Sequence, residues 1–299
     1  MPVNYKSIFT SLTLVTLCVI ALLATLLLWP RRSNVDDTGK IDRQRFPESE
    51  ALRQSWTLAP GAQVKVKDIA GPVTIETHDD NTAEVYAERA ATRRAVFSEL
   101  PLKATYRAAT ADLPETLSLD NTAWQKQTTR SGLRRLLGLE RAPEFRERVV
   151  VKLPRRVNLL ISKIHGNLDI GALDGIVRIL DVEGNVQLAK ATEARQLGGI
   201  EGALEATLVR LGKELHVGDV NGPVKLHFLE EPNTHIRGTF VLGTVNAQLP
   251  GFRVTEKRFL RFQGENGTGA SLITFFNIHD AVTLDYVSKP QLAKTPASR

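Results

Sequence analysis

Ile164-His165-Gly166-Asn167-Leu168-Asp169-Ile170 is the stretch on which the fold turns. It reads aliphatic-x-Gly-x-aliphatic-x-aliphatic. The same phrase returns as Val182-Glu183-Gly184-Asn185-Val186-Gln187-Leu188 and as Val220-Asn221-Gly222-Pro223-Val224-Lys225-Leu226. Ile200 to Ala206 and Val241 to Ala247 repeat it with alanine last. Ile278 to Leu284 repeats it with Asp280 in the glycine place, and Ile69 to Ile75 repeats it far upstream. The glycines at 166, 184, 202, 222 and 243 are 18, 18, 20 and 21 residues apart.

That period is too long for a hairpin, and no helical pattern lies inside it. It suits one coil of a β-solenoid made of two or three short strands. A single coil cannot bury its apolar face. Coils stacked about 4.8 Å apart pair every backbone with the coil above and below. The expected inward columns are 164, 182, 200 and 220; 168, 186, 204 and 224; and 170, 188, 206 and 226. Glycine in the third place permits a corner that a Cβ would crowd. Two outward columns stay polar, His165, Glu183, Glu201 and Asn221 in one, and Asp169, Gln187, Glu205 and Lys225 in the other. Asn167 and Asn185 form a candidate amide ladder. Alternation in a β-sandwich is the competing reading, but a sandwich does not call for a fixed period.

Working outward, strand periodicity begins at Trp56, with Val64, Val66, Ile69, Val73 and Ile75 apolar and Lys65, Lys67, Thr74 and Glu76 polar. His78 to Asn81 is a turn signal, and Val85 to Ala87 resumes a strand. Ala90 to Ala111 fits helix or strand. Asp112 to Glu147 is an excursion whose centre, Arg130 to Arg141, is basic, with Leu133, Leu136, Leu137 and Leu139 on much of one helical face. From Arg130 to Arg156 there are nine basic and three acidic residues, a difference equal to the net charge of +6 for the whole chain. Three roles fit this excursion: a solvated cap, a segment lying on anionic lipid through Arg130, Arg134, Arg135 and Arg141, or a site for an acidic partner. It lacks interleaved aromatics, so nucleic acid is not expected as a partner.

Ile8 to Trp29 carries no charge over 22 positions and spans roughly 33 Å as a helix, about the hydrocarbon thickness of a bilayer. Trp29 and then Arg31 and Arg32 suit the head-group region. The run is too long for a cleaved signal peptide and lacks a small-x-small site after it. Leu17 before Cys18 argues against a lipoprotein. A single-pass anchor is therefore expected. Counting Lys and Arg alone, Arg31, Arg32, Lys40, Arg43 and Arg45 against Lys6 would keep the C-terminal side in the cytoplasm. A long domain translocates largely regardless of charge, so an extracytoplasmic domain is the expectation adopted.

The chain has 299 residues, 42% hydrophobic and 24% charged, which excludes whole-chain disorder. One cysteine excludes an intrachain disulfide framework and a cysteine-based zinc cluster. None of the six histidines shows the spacing of a zinc helix, and His78-Asp79-Asp80 reads as a turn. Gly264 to Gly269 is neither a Walker loop nor a dinucleotide fingerprint and reads as a corner between coils. No metal, cofactor or catalytic residue is expected. The single geometric route to catalysis is Glu183 with Glu201, two carboxylates on adjacent coils as a glycosidase requires, though any acidic column supplies such a pair.

Trp56-x-Leu58-x-x-Gly61-x-x-Val64-x-Val66-x-x-Ile69-x-Gly71-x-Val73-x-Ile75 resembles the opening of the bacterial "putative adhesin" family. Arg148 to Pro154, then Val157, Leu159, Ile164 and Gly166, resemble that family's approach to its repeated coils. The resemblance runs from about Trp56 to Tyr286. It implies a β-helical domain and a surface-adhesion role, and it carries over no catalytic residue.

The expected architecture is all-β: a single-stranded parallel β-helix of 18–21 residues per coil, plus an N-terminal transmembrane helix. Its parts are a tail at 1–7, an anchor at 8–29, a linker at 30–55, a solenoid at 56–287 with the excursion at about 112–147, and a polar tail at 288–299. The expected function is a non-catalytic, adhesin-like interaction or scaffold protein of the bacterial cytoplasmic membrane. Its partners would be lipid through residues 8–29 and an unidentified protein or glycan. The rival functions are a membrane-bound accessory to envelope-stress signalling and a polysaccharide-active enzyme.

Overall fold

The structure, a computed structural model, describes residues 43–121 and 145–287. Among these, one short helix, α1 (Ala95–Glu99), accompanies nineteen strands. In chain order they are β1 (Glu48–Thr57), β2 (Gln63–Ile69), β3 (Val73–His78), β4 (Thr82–Ala91), β5 (Lys103–Arg107), β6 (Thr116–Asp120), β7 (Phe145–Pro154), β8 (Asn158–Ile164), β9 (Leu168–Val182) and β10 (Val186–Ile200). They continue as β11 (Leu204–Leu208), β12 (Glu214–Val220), β13 (Val224–Phe228), β14 (Thr234–Val241), β15 (Val245–Gln248), β16 (Arg253–Arg258), β17 (Arg261–Asn266), β18 (Ser271–Ile278) and β19 (Val282–Tyr286). The described residues are thus all-β. The anchor at 8–29 and the basic residues Arg31, Arg32, Arg130, Arg134, Arg135 and Arg141 lie outside the described residues. Among the described residues, no helix is long and apolar enough to cross a membrane.

The strands run in two ladders whose inward side chains meet in one buried aliphatic cluster. Ladder A runs β5, β6, β2, β8, the second half of β9, the second half of β10, β12, β18, β14, β17 and β16. Ladder B runs β1, β4, β7, β3, the first half of β9, the first half of β10, β11, β13, β19 and β15. β9 and β10 bend from one ladder into the other. The repeated residues stand in register: Ile164 pairs Val182, Val182 pairs Ile200 and Ile200 pairs Val220. Leu168, Val186, Leu204 and Val224 form a second column, and Ile170, Leu188, Ala206 and Leu226 a third. All twelve are buried.

Two features correct the sequence reading. First, the pairing is not parallel throughout. β1–β4–β7, β5–β6 and β14–β17–β16 are antiparallel. Second, rungs do not stack in chain order at the ends. Val220 is followed in space by Ile278, and only then by Val241. The β18–β19 rung is inserted between β12–β13 and β14–β15, so the 21-residue spacing to Gly243 does not mark adjacent coils. The other end does the same. Ile69 pairs Ile164, so the β2–β3 rung lies between β6–β7 and the β8–β9 rung. The upstream copy of the repeat and the downstream one are therefore both interior rungs. Residue parity cannot report this order, because every rung presents the same aliphatic slots.

Within the stretch at 30–55 read as linker, the last residues are strand. β1 begins at Glu48 and pairs with β4 over ten positions. Its burial alternates: Glu48, Glu50, Leu52 and Trp56 are partly buried, the other side chains are exposed, and Leu52 and Trp56 pack against the core. Ala90 to Ala111 divides into the end of β4, α1 and β5. Gly264 to Gly269 ends β17 and turns into β18. The Asn233 Oδ1 accepts there from the N–H of Gly269 at 2.7 Å and of Ala270 at 3.2 Å.

Each rung turns one corner in the same way. Three residues before the glycine slot, the chain enters the left-handed region at Asp68, Lys163, Asp181, Asp219, Asn277 and Phe240, with φ between 54° and 58°, and at Gly199. One residue is passed over on both neighbouring strands, so the register is kept while the left-handed φ turns the chain. The slot glycines themselves have no such φ. They are needed for close approach: a Cβ on Gly184 would lie 2.6 Å from the Gly166 carbonyl carbon and oxygen. Asn167 and Asn185 sit at this corner. Asn167 Oδ1 accepts from the Asn185 N–H at 2.9 Å, and Asn185 Oδ1 from the Ala203 N–H at 2.8 Å. The ladder is side chain to backbone rather than amide to amide.

Candidate functional site

The two predicted polar columns flank the glycine corner. His165, Glu183, Glu201 and Asn221 directly follow Ile164, Val182, Ile200 and Val220, whose register is fixed, so they stack once per rung, and His279 extends the series beyond Asn221. Within it His165 Nδ1 lies 2.8 Å from Glu183 Oε1. Past the corner on ladder B, Asp169 pairs Gln187, Gln187 pairs Glu205 and Glu205 pairs Lys225. All four are exposed. Thr74 continues this column at one end, and Thr283 and Asn246 at the other. The surface is thus two parallel stripes of polar groups, one residue of each per rung.

Three further histidines lie beside carboxylates. His227 lies between Asp285, at 3.5 Å from Nδ1, and Glu205, at 3.8 Å from Nε2. His216 Nε2 is 3.3 Å from Glu214, with Thr274 Oγ1 at 2.6 Å from Nδ1. His235 Nδ1 is 3.9 Å from Glu265. Among the described residues no group of three or more His, Cys, Asp or Glu side chains is placed to hold a metal. At the His78 turn, Arg155 Nε lies 3.1 Å from Asp79 Oδ1.

A buried charge cluster lies elsewhere, beneath the β1–β4–β7 sheet, and sequence reasoning missed it. Arg89 is 2% exposed. Its Nη1 donates to Glu50 Oε2 at 2.6 Å, its Nη2 to the Leu100 carbonyl, and its Nε lies 3.6 Å from Glu147 Oε2. The guanidinium carbon stands 5.0 Å from the Phe145 ring centre and 5.4 Å from that of Phe97. Glu147 Oε1 accepts from the Ala70 N–H at 2.7 Å. Burial pushes the Glu147 carboxyl above the usual range, while the Ala70 N–H, Arg89 and Asn121 pull it back. The signal was in the strand parity. Ala83, Val85, Ala87, Arg89 and Ala91 share one face, as do Phe145, Glu147, Val149 and Val151, and Arg89 pairs Glu147 in register. Two opposite charges in the inward phase of two neighbouring strands are a buried pair. Its partners are structural groups.

Burial likewise raises Asp68, with Lys163 and Lys67 acting against it. Glu183 and Glu201 occupy adjacent rungs, and Glu183 is engaged by His165.

No family model matches the chain, and no curated protein matches it. Three solved structures are similar. A "putative cell adhesion protein from Clostridium sporogenes ATCC 15579" shares 12% identity over 80% of this chain and 100% of its own, with a TM-score of 0.37. A "putative adhesin" from Bacteroides fragilis NCTC 9343 shares 10% over 81% and 99%, with a TM-score of 0.31. Another "putative adhesin", from Parabacteroides merdae ATCC 43184, shares 7% over 80% and 96%, at 0.24. Two of the three bear the same name as the sequence resemblance. Their TM-scores carry no structural argument, and the fold rests on the strand pairing described above.

Proposed function

We propose that the chain is a non-catalytic, adhesin-like interaction module of the bacterial envelope, a β-solenoid body carried on a single-pass anchor at residues 8–29. Recognition uses the stripes His165, Glu183, Glu201, Asn221 and Asp169, Gln187, Glu205, Lys225. One observation carries this reading: polar groups recur at one-rung spacing along a surface held flat by the register beneath it. A repeated surface of about 4.8 Å pitch suits an extended protein or glycan better than a compact ligand.

The test is two fourfold alanine variants, one per stripe, with binding to intact envelope fragments measured beside thermal melting. Loss of binding with unchanged melting supports the reading; full retention in both variants ends it. Placement of the body outside the cytoplasmic membrane is tested by protease treatment of spheroplasts. Protection of the body would instead favour the envelope-stress accessory. Turnover of an envelope polysaccharide by the unmodified chain, lost in Glu183→Gln, would favour the enzyme.

A further inference from the structure

Strand parity puts a second surface on the outer side of ladder A, apart from the two stripes. Thr105, Ser118, Lys65 and Leu160 stand side by side on β5, β6, β2 and β8. One step along the strands, Lys67 lies beside Ser162; one step the other way, Arg107 lies beside Thr116. Lys65 stands in the central row among short hydroxyl side chains, and Lys67 and Arg107 stand one step to either side. The result is a hollow of about 440 Å³, lined by Lys65, Lys67, Arg107 and hydroxyl groups, with Leu160 and no carboxylate. That volume lies within the range of small-ligand sites.

The acids nearby are otherwise engaged or set aside. Glu115 accepts from Tyr106 Oη at 2.6 Å and from the Ala59 N–H at 2.6 Å. Asp68 takes Lys163 at 3.9 Å. Asp120 is the register neighbour of Lys67 and lies outside the lining. Thr116 donates its hydroxyl to the Pro114 carbonyl at 3.1 Å and accepts from Arg107 Nη2 at 3.3 Å, which fixes the guanidinium at the rim. The row continues in register from Leu160 to Arg178, Gln196 and His216, again without a carboxylate. Farther along, Glu193 and Glu214 border it, so the excess positive charge is confined to the β5–β9 end. Ladder B offers no counterpart, since its row holds Asp169 and Glu205 beside Lys225.

We propose that this hollow binds the sulfate or phosphate ester groups of a linear anionic glycan, whose chain runs across the rungs towards Arg178. Two ammonium groups with three donors each, together with hydroxyl donors, match a tetrahedral ester with several acceptor oxygens. A carboxylate clamp would use the paired donors of an arginine fork, and one of those in Arg107 is given to Thr116. The lining holds no aromatic ring on which a base would stack, so a single-stranded nucleic acid is not the ligand. It holds one aliphatic side chain, Leu160, too little apolar surface for insertion into a bilayer.

The experiment uses the purified full chain in detergent and a heparin-derived hexasaccharide, with its desulfated form, inorganic phosphate and phosphatidylglycerol vesicles as the other arms. The sulfated hexasaccharide is expected to bind, to weaken as salt is raised, and to outcompete phosphate. Lys65→Gln/Lys67→Gln is expected to lose at least about tenfold in affinity with unchanged melting, and Ser118→Asp, which places a carboxylate in the hollow, to lose a similar factor. The fourfold alanine variants of the stripes should bind this probe normally, which separates this site from the function proposed above. Equal binding of sulfated and desulfated probes overturns the proposal. So does retention of affinity in both charge variants, and so does Lys65- and Lys67-dependent binding to vesicles in preference to the hexasaccharide.

Discussion

The two ends of the stacked body face the same physical problem and solve it with different chemistry. A ladder edge exposes unpaired N–H and C=O groups that invite another strand. At the β1 end, antiparallel strands and α1 close over a second apolar cluster, and an arginine is buried there between two glutamates and two phenylalanines. At the other end the β16–β17 hairpin covers the edge of ladder A, while four-residue β15 closes ladder B. That end leaves apolar groups in solvent: Phe259 at the hairpin tip is 90% exposed, and Phe240 and Phe276 stack edge to face at 5.9 Å, each half exposed. The ends also share a device. Each inserts one rung out of chain order. The comparison teaches that repetition specifies the middle of such a body, whereas each end is an individual solution.

The sharpest way to break this comparison is Arg89→Ala. It leaves Glu147 buried and uncompensated, and a loss of about 3–5 kcal/mol in urea unfolding is expected. A loss under about 1 kcal/mol would mean that the β1 end is not held by its charges.

Next comes Gly184→Ala in the repetitive middle. Its Cβ would meet the Gly166 backbone at 2.6 Å, so a cost of roughly 1–3 kcal/mol or more follows. Gly218→Ala, where the nearest backbone atom is 3.4 Å away, should cost under about 1 kcal/mol. Equal effects would contradict the stacked corner.

Glu147→Gln sharpens the account of the buried charge through its pH dependence. Burial makes the folded carboxyl keep its proton to higher pH than the unfolded one. Stability from this group is therefore full below the ordinary carboxylate range and falls as pH rises through to the raised value. One proton gives a slope of at most about 1.4 kcal/mol per pH unit. The urea midpoint of the natural chain, followed against pH, should carry that slope and the Gln variant should lack it.

His165→Ala removes a partly exposed contact with Glu183 in the polar stripe and should cost no more than about 1 kcal/mol. Smallest of all, Phe259→Ser should leave melting within about 0.5 kcal/mol of the natural chain, because the ring touches little of the body. A larger loss would show that the far end depends on its hairpin tip as the near end depends on Arg89.

What the amino-acid sequence determined by itself is the unit and its facing. The aliphatic slots at Ile164, Val182, Ile200 and Val220, the corner glycines between them, and the two outward stripes all follow from a period repeated four times, because identical slots stacked in register are the cheapest burial such a unit can reach. The Arg89–Glu147 pair was also legible, as opposite charges in the inward phase of two strands, for a reader who carried parity past the repeat. Only the tertiary structure decided the order of the rungs, the insertion of β2–β3 and β18–β19 into the stack, the antiparallel closures, and the gathering of Lys65, Lys67 and Arg107 around one hollow. The physical reason is that equivalent slots are interchangeable. Local pattern says that Ile278 fits against some neighbour, and only loop lengths, edge pairing and the closing of both ends choose Val220 and Val241 from among them.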